Sequence, residues 1–171
     1  VNRLPGIVTL LIMGTVTAFL FRQYEPLIQQ ASIFAIFITL ITGTAGNTGT
    51  QSLAVAIRKI GLHEEEQSFW KVLVQEGTTG LGIGLISGVV VFGIVSLWLG
   101  NIVLGGIIGF AMFASIFVAA LTGTCIPFAL EKFNFDPSIA SGPFITTVND
   151  LTSVLVYFTI VSQFISVYLA K

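Results

Sequence analysis

The chain has 171 residues, of which 54% are hydrophobic and 9% charged, with a net charge of −1 and a mean hydropathy of +0.97. A soluble domain carries about 25% charged residues, so this composition excludes an ordinary soluble domain and points to a lipid environment. The small negative net charge also leaves nucleic acid no basic surface to bind.

Charge positions divide the chain. Leu4–Phe21 is a run of 18 uncharged residues between Arg3 and Arg22 and predicts a first transmembrane helix over about 4–21. Pro26–Ile57 gives 32 more between Glu25 and Arg58, predicting a second over about 27–57. The run Gly77–Leu130 has 54 uncharged residues, too many for one span at about 20 residues each. It divides at Leu97-Trp98-Leu99-Gly100-Asn101, an interfacial Trp followed by a Gly-Asn turn, which predicts helices over about 72–98 and 102–130. A last helix is expected over about 142–170. The expected fold is an all-α membrane protein with five transmembrane helices per subunit and its termini on opposite sides of the membrane.

With the N-terminus cytoplasmic, Arg3, Arg58, Lys59, Lys71 and Lys132 lie inside, whereas Arg22 and Lys171 lie outside, as the positive-inside rule requires. The expected location is the cell (plasma or inner) membrane, multi-pass. Residues 59–71, KIGLHEEEQSFWK, then form a cytoplasmic connector with Trp70 at the interface. Its His63 and Glu64-Glu65-Glu66 read as a solvated turn and helix start, with a regulatory metal site as the other reading. Glu76 reads as interfacial, with an ion entrance as the other reading. Cys125, the single cysteine, reads as a small buried hydrophobe. The sequence has no initiator Met and no segment resembling a cleaved signal, so a fragment or trimmed chain is expected.

Asp150 is the only acid between Ser141 and Lys171. An ionisable side chain at membrane depth costs roughly 2.5–3.5 kcal/mol even on the lenient insertion scale, and commonly marks an ion or proton path. Ser141 suits an N-cap and Pro143 the first turn. Spacings of three and four then place Gly142, Thr146, Asn149, Asp150, Ser153 and Tyr157 on one side, opposite Phe144, Val148, Leu151 and Leu155. The second helix carries a matching stripe of Thr39, Thr42, Gly43, Gly46, Asn47, Thr50 and Gln51. Helix packing accounts for its glycines, while Asn47 and Gln51 offer neutral oxygens to a pore. In the third and fourth helices, Gly80, Gly84 and Gly88, and Gly105, Gly109 and Ala111 with Ser115, Ala119, Thr122 and Gly123, form small-residue faces with no titratable group, which read as packing.

A carboxylate among Thr, Asn and backbone oxygens suits a hard cation, whereas Zn or Cu would call for Cys and His. A lone carboxylate compensates a divalent ion poorly; two at a symmetric dimer axis do better. Residue chemistry therefore reaches a cation pathway in a dimer.

Three segments together resemble the transmembrane domain of the MgtE family of magnesium channels. Gly46-Asn47-Thr48-Gly49-Thr50-Gln51-Ser52 is similar to that family's GNxGTQ signature and is followed by Arg58. Asp136 through Thr147, DPSIASGPFITT, looks like its DPAxxSGPFxTT motif. Asp150 follows, with Tyr157-Phe158 beyond it, and the opening Arg3-Leu4-Pro5 matches too. The resemblance implies a homodimer in the lipid bilayer, with a pore at the subunit interface carrying largely hydrated Mg²⁺ passively. It implies Asp150 as the selectivity carboxylate, Asp136 near the cytoplasmic mouth, and Asn47 and Thr50 near the pore wall. Thr146 and Asn149 join these as candidate metal-facing groups from the polar face of the last helix. The chain departs from the pattern at Ala45 and Ser153, where the family commonly has Gly. It also has no counterpart to the soluble N-terminal domain, the CBS pair or the long connecting helix that members commonly carry.

The alternatives are a secondary transporter using Asp150 as a H⁺ or Na⁺ coupling site, a non-transporting membrane scaffold, and an intramembrane aspartyl protease. The last needs two carboxylates sharing a proton, and only Asp150 lies deep in an apolar helix. No enzyme activity is expected.

Overall fold

The computed structural model describes residues 4–61, 68–136 and 142–169. All regular structure among them is helical: α1 (Leu4–Gln23), α2 (Glu25–Gln30), α3 (Ile33–Ile36), α4 (Ile38–Gly61), α5 (Phe69–Leu99), α6 (Ile102–Lys132) and α7 (Gly142–Leu169). Five stretches are long and apolar enough to cross a bilayer: Gly6–Gln23, Ile33–Gly61, Phe69–Leu99, Ile102–Lys132 and Pro143–Leu169. This is a multi-pass, all-helical membrane architecture. His63, Glu64–Glu66 and the Ser141 cap lie outside the described residues.

α6 is the hub. It packs on α5, α4 and α7, while α7 also lies against α4 and α1 leans on α7. Ile108, Met112 and Ile116 of α6 meet Ile41 of α4, Val95 of α5, and Val154, Phe158 and Val161 of α7 in one core. The α5–α6 contact depends on glycine. A Cβ on Gly88 would lie 2.7 Å from the Gly109 carbonyl oxygen, and one on Gly109 2.6 Å from that of Gly88. Two backbones thus meet where no side chain intervenes, the packing expected of these stripes. The turn between the two helices uses Gly100 in the left-handed region (φ +63°). Asn101 then caps α6, its Oδ1 accepting from the Val103 and Leu104 N–H groups at 3.1 and 3.0 Å.

The second span differs from the single helix expected over 27–57. Pro26 stands in the first turn of α2, and the chain leaves the helix at Ala31 (φ −149°, ψ 80°). Tight three-residue bonds follow, from Phe34 N–H to the Ala31 oxygen and from Phe37 N–H to the Phe34 oxygen, before α4 begins at Ile38. Such a break inside an apolar layer leaves carbonyls to satisfy. The Tyr157 hydroxyl of α7 donates to the Phe34 oxygen at 2.6 Å. Tyr157 is 1% exposed, so it serves this break instead of extending the Asp150 stripe. One helical turn, or a polar stripe, could not have revealed that partner from sequence.

α1 is largely exposed along its length, as a lipid-facing helix would be. Its end is held by Phe21, edge-on to Phe158 of α7, and by Tyr24, stacked on the same ring at 4.6 Å. Glu76 is 6% exposed and belongs to the buried stripe of α5 with Val72, Gly77 and Gly80. A helix period of 3.6 places it on the face turned to α6, which Gly80 marks by meeting Ala120.

Candidate functional site

The polar face of α7 meets α4 where α4 has no side chains to obstruct it. A Cβ on Gly46 would lie 3.2 Å from Asp150 Oδ1 and 3.6 Å from Thr146 Cγ2. Glycine therefore lets the carboxylate rest against the α4 backbone. One turn away, the Thr50 and Thr146 hydroxyls approach within 3.3 Å, and Thr50 Oγ1 also donates to the Gly46 oxygen at 2.8 Å. Asp150 is half-buried, eight residues into α7 and so about 12 Å along its axis. No cationic side chain pairs with it among the described residues, in a span where charge is costly.

Asn149, the neighbour of Asp150, turns into the subunit. It is fully buried, and its Oδ1 accepts from the Thr122 hydroxyl of α6 at 2.6 Å. Its amide lies against Gly49 of α4. At the same level Gly49 and Gly123 bring α4 and α6 together, since a Cβ on Gly123 would overlap the Gly49 carbonyl. Ser153, one turn along α7, is also buried.

Of the residues expected at the site, Thr50, Thr146 and Asp150 are brought together. Asn149 lies beside them but faces α6. Asn47 and Gln51 are exposed on the outer surface of α4. Asp136 is exposed beyond the end of α6, on the approach to α7 and 14 residues before Asp150. Sequence reasoning assigned Thr122 to a small packing face and gave it no polar partner. Its contact with Asn149 joins residues 27 apart, a pairing that no local spacing encodes. Among the described residues no group of three His, Cys, Asp or Glu gathers, and the donors at Asp150 are oxygens.

Fold and site together define a multi-pass helical membrane protein with a carboxylate set among hydroxyls at membrane depth. A family model, MgtE, described as a divalent cation transporter, matches residues 38–160. The chain is 51% identical over 164 residues to "Magnesium transporter MgtE" of Enterococcus faecalis, covering 95% of this chain and 36% of the relative. It is 38% identical over 167 residues to the protein of that name in Bacillus subtilis, covering 96% and 37%. With that of Thermus thermophilus it shares 30% over 159 residues, covering 92% and 35%. The chain belongs to the MgtE family, and it spans just over a third of the length of these relatives.

Proposed function

We propose that this chain forms the membrane domain through which Mg²⁺ crosses the bilayer, passively and largely hydrated, along a path between two copies of the subunit. The observation that supports this most is the setting of Asp150. Its carboxylate lies inside a membrane span, against the Gly46 backbone and beside the Thr50–Thr146 pair, with no cationic partner among the described residues. The relatives' name, magnesium transporter, supports the choice of ion.

Mg²⁺ holds its waters in an octahedral shell at about 2.0–2.1 Å and releases them reluctantly. A hydrated ion therefore needs hydrogen-bond acceptors around its waters, which a carboxylate and threonine hydroxyls supply. One carboxylate neutralises half of the ion's charge. A two-fold axis beside α7 would bring the second. Asn47 would line the wall from the exposed face of α4, and Asp136 would sit at the mouth on the side of Arg58, Lys59, Lys71 and Lys132. That cation-rich side is cytoplasmic in this reading, with the N-terminus inside and the C-terminus outside.

The test is Mg²⁺ entry into proteoliposomes loaded with a Mg²⁺-sensitive dye, driven by an imposed negative-inside potential. Entry at the same rate with no H⁺ or Na⁺ gradient is expected. Entry that requires either gradient would overturn the passive pathway in favour of a coupled carrier.

A further inference from the structure

Asn149 is clamped from two sides. The Thr122 hydroxyl reaches its amide oxygen at 2.6 Å from α6. Turning the amide over exchanges donor and acceptor but keeps that bond, because a hydroxyl serves as either. On the opposite side the amide rests on Gly49, where a Cβ would lie 2.6 Å from Asn149 Cγ. The residue is 0% exposed, so in the folded subunit it reaches no path along the outer surface. Asp150 is the next residue, about 100° further around the helix.

From this geometry, and resting on the reading of Asp150 as the ion-facing carboxylate, we infer that Asn149 is a positioning residue. With Thr122 and Gly49 it fixes the rotation of α7 and thereby aims Asp150. The lever is short. A helix with its side chains is about 10–12 Å across, so a rotation of roughly 20° moves a carboxylate at its rim by about 2 Å. That displacement separates a carboxylate oxygen from the shell of water it must contact. Thr122, half-buried on α6, acts on Asp150 through its hydroxyl's bond to Asn149.

Thr122→Val separates positioning from contact, because it keeps the side chain's shape and removes only the hydroxyl. In proteoliposomes its Mg²⁺ uptake per inserted molecule is expected to fall on the order of tenfold, the usual scale for losing an outer-shell partner. Its preference for Mg²⁺ over Ca²⁺ is expected to narrow, and Thr122→Ser is expected to restore both. Wild-type rate and preference in Thr122→Val would overturn the inference. So would a loss confined to the amount of inserted protein, because that is what a purely structural bond gives. Asp150→Asn runs alongside. If it is inactive while Thr122→Val is normal, only the positioning role fails. If it carries Mg²⁺ like wild type, the reading of Asp150 fails and the positioning role with it.

Discussion

Adding one methyl group at Gly49 is expected to loosen the bundle, whereas adding one at Gly43, on the same helix, is not. A Cβ at position 49 would overlap the Asn149 amide nitrogen and lie 2.6 Å from Asn149 Cγ and 3.0 Å from the Ala119 carbonyl oxygen, while one at position 43 meets nothing within 4 Å. Carbon atoms prefer separations of about 3.5–4.0 Å, so the α4–α7 seam must open by at least about 1 Å to admit the methyl. Overpacking of that kind costs about 1–3 kcal/mol. Both substitutions share the same gain in helix propensity, up to about 1 kcal/mol, so the steric cost is the difference between them. At about 2–4 °C per kcal/mol for a chain of this size, Gly49→Ala is expected to melt roughly 2–12 °C below Gly43→Ala. The assay is thermal unfolding of detergent-purified protein followed by size-exclusion chromatography. If Gly49→Ala melts at or above Gly43→Ala, the close approach of Asn149 to α4 is wrong.

Tyr157→Phe removes the hydroxyl that serves the Phe34 carbonyl. It is expected to cost about 0.5–1.5 kcal/mol, seen as a lower melting temperature with Mg²⁺ uptake still present. Asn101→Ala removes the cap of α6 and is expected to cost about 0.5–2 kcal/mol, whereas Asn101→Asp, which keeps an accepting oxygen, is expected to stay near wild type in the same melt. Gly88→Val places branched carbons into the Gly109 backbone. It is expected to reduce the yield of monodisperse protein sharply, while Gly93→Val, at a position with open space, is expected to spare it. Glu76→Gln keeps the volume of a buried side chain and replaces its carboxyl by an amide. Because a buried amide is less costly than a buried carboxylate, the melting temperature is expected to hold or rise.

The membrane class and the five spans were legible because charge-free runs and bilayer thickness leave little choice. The turn at Gly100–Asn101 was legible for a local reason, as one residue takes a left-handed conformation and the next caps a helix. Asp150 and its stripe were legible from a period of three and four. The break at Ala31 was not, because the apolar run continues through it and the compensating Tyr157 hydroxyl comes from α7. The burial of Glu76 was hidden for a related reason, because it is decided by packing on α6. The division of labour between Asn149 and Asp150 was also hidden. Adjacent residues share a stripe on paper, yet about 100° of helix rotation sends one towards α6 and leaves the other beside Gly46.

The central claim is that the Asp150 carboxylate carries the ion. It is tested most directly by Mg²⁺ uptake into dye-loaded proteoliposomes containing wild type, Asp150→Ala or Asp150→Asn at matched protein density. Both variants are expected to fall to the level of protein-free liposomes, because Asn keeps the shape and loses the charge. Uptake by Asp150→Asn at the wild-type rate would contradict the claim.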